Sequence, residues 1–79
     1  MNLNVKLYGM LSRSFDDYDH SKGLDVVMSK RASIHDLLIH LDLQNESVGI
    51  ISMNDKPIKK EARMKDNARI KIFQPIFGG

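Results

Sequence analysis

The sequence predicts an α+β domain: a mixed sheet of four or five strands covered on one face by one helix. Three observations carry this. Apolar residues alternate with polar ones in separate stretches near both ends, the period of half-buried strands. Only one stretch has helical spacing. The chain has 79 residues, 42% of them apolar, and so builds one modest core in a single domain. A lone helix must then cover the sheet, because no other element can bury that face.

Leu3, Val5 and Leu7 alternate with Asn4, Lys6 and Tyr8 in a first strand that Gly9 ends. Ser12 to Ser21 is polar and reads as an exposed loop, with Phe15 pinning it to the core. Leu24, Val26 and Met28 form a second strand, its start marked by Lys22-Gly23. Ser33 is placed as a helix N-cap with Asp36 three residues on, where a carboxylate meets exposed N–H groups and the positive helix end. Ile34, Leu37, Leu38 and Leu41 then fall at i, i+3, i+4 and i+7, an amphipathic stripe over about residues 33–41.

Asp42 to Ser47 links to a third strand, Val48 to Met53, with Ile51 and Met53 as its core pair. Asn54-Asp55 is turn chemistry. Pro57-Ile58 suits a short edge strand, since proline has no N–H for a central ladder. Met64 returns to the core, and Lys65-Asp66-Asn67 turns the chain, Asn tolerating positive φ. Ile70 and Ile72 alternate with Arg69 and Lys71 in the last strand, and Phe73 falls on the outward face. The first and last strands should lie side by side at the centre. The division expected is a domain over 1–73 and a tail over 74–79.

Composition excludes several function classes. There is no cysteine, hence no disulfide frame, thiolate metal site or thiol nucleophile; any sulfur handled comes from elsewhere. Net charge is only +2, and the few aromatics do not interleave with the basic residues, which argues against nucleic acid. No apolar run is long enough to span a membrane, and the N-terminal residues do not read as a signal peptide, so a cytoplasmic protein is expected. His35 and His40 are five apart and cannot chelate one metal from one helix face. Asp16, Asp17 and Asp19 lack the Gly and distal Glu of a calcium loop. No nucleophile elbow occurs. Lys59, Lys60, Arg63, Lys65, Arg69 and Lys71 read as a solvated face, or as a field steering the chain toward an acidic partner.

The segment that points to function is Gln74-Pro75-Ile76-Phe77-Gly78-Gly79. Glycines without Cβ make a thin, pliable end that enters a slot closed to other residues. A carboxylate on Gly79 is a poor acyl donor until it is adenylylated. At about 3.3 Å per residue the six-residue tail reaches roughly 20 Å into a partner.

The element order with this Gly78-Gly79 end resembles the β-grasp fold of ubiquitin-like proteins, and more closely the MoaD/ThiS family of sulfur carriers. The residues that carry the likeness are Leu7-Tyr8-Gly9, Ser33 to Leu38, Ile51 to Ile58 and, above all, Met64 to Gly79. The resemblance covers essentially the whole chain and is closest to the small subunit of molybdopterin synthase. It implies a carrier, not an enzyme. A ubiquitin-activating-type adenylyltransferase would spend ATP to adenylylate Gly79, and a persulfide from a sulfur donor protein would convert it to a thiocarboxylate. The sulfur would then pass into molybdopterin through a synthase large subunit, or into thiamin through a thiazole synthase. By the same resemblance Gly79 is the reacting residue, Gly78 gives it clearance, and Phe73, Pro75, Ile76 and Phe77 contact the partner. No bound cofactor and no metal are expected. Conjugation to lysines through Gly79, as by a ubiquitin-like modifier, is the alternative. The chain departs from the family pattern at Asp66-Asn67-Ala68, at Asn54-Asp55, and at Phe77, where a small residue is usual.

Overall fold

The computed structural model describes residues 1–76. It contains β1 (Asn2–Leu7), β2 (Leu24–Val27), α1 (Ile34–His40), β3 (Ile51–Met53), β4 (Lys56–Ile58) and β5 (Ala68–Ile72), in the sheet order β2-β1-β5-β3-β4. β1 and β5 pair in parallel at the centre, with Val5 opposite Ile70. The remaining pairs, β1 with β2, β3 with β5 and β3 with β4, are antiparallel. This is the ubiquitin-like β-grasp, the mixed sheet and single helix that the alternation predicts.

One face of the sheet is the core. Leu3, Val5 and Leu7 of β1 and Ala68, Ile70 and Ile72 of β5 are buried with Ile34, Leu37, Leu38 and Leu41 from the helix. Met64 joins them, and Phe15 packs at the margin. The helix begins where Ser33 predicts. The Ser33 hydroxyl accepts from Asp36 N–H at 3.2 Å, and the Asp36 carboxylate accepts from Ser33 N–H at 2.9 Å, a reciprocal capping box. That bond from Ser33 holds the Asp36 carboxyl below its ordinary value.

The turns follow their residue chemistry. Asn54 and Asp55 both have positive φ, 51° and 70°, closing the two-residue hairpin between β3 and β4. Asn54 Oδ1 also accepts from Arg69 N–H at 2.9 Å, tying the hairpin to β5. Asn67 has φ 61°, and beside it Asp66 Oδ1 accepts from Asn2 N–H at 2.7 Å, locking the entry of β5 to the start of β1. β4 lies at the sheet edge, as Pro57 requires.

Two segments differ from the sequence reading. Gly9–Ser14, where the sequence predicts the end of a strand and the start of a loop, forms a 3₁₀ helix. The third strand begins at Ile51, not at Val48. Val48 is buried, but a 3₁₀ turn, Asn45–Ser47, precedes it, and Gly49 and Ile50 together oppose the single residue Phe73. Gly49 N–H donates to the Phe73 carbonyl at 2.7 Å and Phe73 N–H donates to the Ile50 carbonyl at 3.0 Å, the two-against-one pattern of a β-bulge. Among the described residues no helix is long and apolar enough to cross a membrane.

Candidate docking face and tail exit

The face of the sheet away from α1 carries the outward residues of each strand. Register places Lys6 beside Lys71, and Lys71 beside Ser52. Asp55 accepts from Lys71 Nζ at 3.0 Å and lies 3.5 Å from the Arg69 guanidinium. The Lys71 hydrogen bond, then the charges of Lys71 and Arg69, hold the Asp55 carboxyl below its ordinary value; the same bond raises Lys71. The middle of this face is therefore polar and charged.

The end of the face where β5 leaves the sheet is apolar. Tyr8 N–H donates to the Ile72 carbonyl at 3.0 Å, extending the central pairing one residue beyond β1. This sets the Tyr8 ring against Phe73, stacked at 4.4 Å between centroids and 20° between planes. His20 meets the Tyr8 ring edge-on at 4.8 Å. Tyr18, behind it, accepts from Leu7 N–H at 2.8 Å and satisfies strand backbone that the shorter β2 leaves unpaired. Ile50, on the bulge opposite Phe73, is 59% exposed. Tyr8, Ile50, Phe73 and Ile76 line a hollow of about 590 Å³ that also borders Gly9, Gly49, Gln74 and Pro75. Exposed apolar surface of this kind marks interfaces more often than ordinary surface.

The tail leaves from the same end. Gln74 Oε1 accepts from Met10 N–H at 2.7 Å, fixing the Gln74 side chain over Gly9. On the other side the backbone of Gln74 and Pro75 runs across Gly49. Pro75 is half-buried, whereas Ile76 is 90% exposed. The chain thus passes from bonded to exposed within two residues.

The structure brings together three of the residues expected to contact a partner: Phe73, Pro75 and Ile76. Phe73 is a half-buried member of an aromatic stack, more than an outward residue. Phe77, Gly78 and Gly79 lie outside the described residues. Sequence reasoning missed Tyr8, Ile50, Gly9 and Gly49 as parts of this end. An isolated Gly within a strand pattern signals a bulge or close backbone approach, and Gly49 carried that signal.

The chain shares its fold with several solved structures. SAMP1 from Haloferax volcanii superposes with a TM-score of 0.72 at 17% identity, covering 100% of both chains. A second structure, of the H. volcanii small archaeal modifier protein 1, gives 0.72 at 14% identity over 95% of this chain and 98% of that one. A Pyrococcus furiosus protein provisionally described as molybdopterin converting factor, subunit 1, gives 0.72 at 14% identity with the same coverage. No curated protein matches. The sequence itself matches the ThiS family over residues 15–79, which is most of the chain and includes the whole tail. The chain therefore belongs to the ThiS family and has the ubiquitin-like β-grasp fold.

Proposed function

We propose that this chain is a sulfur carrier whose working group is the Gly79 carboxylate. The observation that carries the reading is the course of β5. The strand lies at the centre of the sheet, anchored on both sides, and runs without a break into Gln74, Pro75 and an exposed Ile76. A rigid core thus delivers the tail next to an apolar docking face.

In this reading a ubiquitin-activating-type adenylyltransferase docks on Tyr8, Ile50 and Phe73 and draws the tail toward ATP. The Gly79 carboxylate oxygen attacks the α-phosphorus and pyrophosphate leaves. A persulfide sulfur then displaces AMP, and a thiol cleaves the resulting S–S bond to free the thiocarboxylate. With no cysteine of its own, the chain relies on the sulfur donor for both sulfur and thiol. The thiocarboxylate donates sulfur in cofactor biosynthesis. Molybdopterin or tungstopterin is the favoured recipient, with a synthase large subunit as partner, in keeping with the fold shared with the P. furiosus protein. The thiamin thiazole pathway is the alternative recipient. The protein is a carrier and co-substrate, not a catalyst.

The fold shared with the small archaeal modifier proteins favours a second reading, conjugation to lysines through Gly79. Both need the same activation. The test is pyrophosphate exchange with ATP, catalysed by an activating enzyme from the same genome and dependent on this chain. Exchange lost on deleting Gly78 and Gly79 supports activation at the tail; exchange that survives the deletion rejects it. Hydroxylamine-resistant conjugates of higher mass in cell extract would favour the modifier reading.

A further inference from the structure

We propose that Gly9 and Gly49 form a notch that aims the tail, and are positioning residues for activation of Gly79. This rests on the functional reading above. The notch holds the last bonded part of the chain from two sides, and each side depends on an absent side chain.

A Cβ on Gly49 would lie 2.8 Å from both the Gln74 carbonyl oxygen and Pro75 Cα, and 2.9 Å from Pro75 N. All three are backbone atoms, so no rotamer change relieves the clash. Gly49 and Phe73 are also joined by a 2.7 Å hydrogen bond, which leaves the displacement to the chain beyond Phe73. On the opposite side a Cβ on Gly9 would lie 2.5 Å from Gln74 Cδ and 2.9 Å from Cγ. Here the obstacle is a side chain, held by its bond to Met10 N–H. Gly9 also has φ 67°, a conformation that favours glycine. The notch ends at Pro75, which has no N–H to continue pairing with the bulged strand and a φ fixed by its ring. It is therefore where the chain parts from the body, in a direction set by the two glycines.

Small errors in aim matter because the reacting carboxylate must reach near-attack distance of a phosphorus in a partner's site. A misplacement of about 1 Å from a distant change costs up to roughly 100-fold in rate. The notch borders the docking hollow, but the atoms nearest an added Cβ belong to Gln74 and Pro75 and not to the docking side chains of Tyr8, Ile50 and Phe73, so the change falls mainly on aim.

The experiment compares wild type with Gly49→Ala in steady-state activation, and records contacts between Gly49 Hα and the Pro75 protons by nuclear Overhauser effects. Gly49→Ala is expected to keep KM for the carrier within about threefold while kcat falls by about tenfold or more, the pattern of lost transition-state positioning. The Overhauser contacts should be present in wild type and absent in the variant. An unchanged kcat, or wild-type protein without those contacts, overturns the proposal. Should Gly49→Ala not fold, Gly9→Ala decides. It should lower kcat, and Gln74→Ala added to it should restore part of the loss, since the clash is with that side chain; no loss, or strict additivity, counts against the notch. If wild type is inert with every activating enzyme, the functional reading fails, and the Overhauser contacts alone decide whether the notch exists.

Discussion

Removing the ring of Phe73 tests whether the apolar end of the sheet is a built platform. Phe73 stacks on Tyr8 at 4.4 Å and is half-buried. A fully buried Phe→Ala change costs about 3–5 kcal/mol, so a half-buried ring should cost about 1.5–2.5 kcal/mol. Of this, the stacked geometry itself contributes about 0.5–1.5 kcal/mol beyond area, and that part is shared with Tyr8. Tyr8→Ala and Phe73→Ala should therefore be non-additive, the double variant losing about 1 kcal/mol less than the two single losses combined. Urea unfolding of the four proteins measures this. With a slope of about 1 kcal/mol per molar for a domain of this size, Phe73→Ala should lower the midpoint by about 1.5–2.5 M. A coupling below about 0.3 kcal/mol would show that the rings are independent neighbours and refute the reasoning.

Other perturbations read other parts of the scaffold. Ile70→Ala, at a fully buried position of the central strand, should cost about 2–5 kcal/mol and lower the melting temperature by at least 8 °C or so, measured by calorimetry. Ser33→Ala should cost about 1 kcal/mol through the lost cap, seen as a lower urea midpoint. The depressed Asp36 carboxyl stabilises the fold above its ordinary value of 3.8, and that stability is lost as pH falls through the lower folded value; Asp36→Asn should flatten this part of the stability–pH curve. Lys71, raised by Asp55, should titrate lower in Asp55→Asn when followed by NMR.

Much of the fold was legible because local signals agreed with the global answer. The alternation of Leu3, Val5 and Leu7 matches that of Ala68, Ile70 and Ile72, and the two strands pair in the centre. Ser33 and Asp36 marked the helix start through chemistry that depends only on neighbours. The turn at Asn54 and Asp55 was legible for the same reason. What escaped was the region whose form depends on distant contacts. Gly9–Ser14 coils into a 3₁₀ helix whose Met10 N–H meets Gln74, a partner 64 residues away. Val48 looks like strand because it is apolar and buried, yet the bulge at Gly49 and Ile50 breaks the ladder before it. Tyr8 alternates as an ordinary outward residue, and nothing local reveals its stack with Phe73. The candidate site was thus half readable. Gln74, Pro75 and Ile76 stood out in the sequence; Gly9 and the aromatic row beside them depend on the parallel pairing of β1 with β5, and Gly49 on the antiparallel pairing of β3 with β5.

The proposed carrier role turns on chemistry at one carboxyl group. The direct measurement is the intact mass of the chain after incubation with its activating enzyme, ATP and a sulfide source, with fragmentation to locate any change. The expected result is a mass gain equal to the exchange of one oxygen for sulfur, confined to Gly79. A chain that is adenylylated there but never gains sulfur would contradict the carrier role, and one whose mass does not change at all would contradict activation itself.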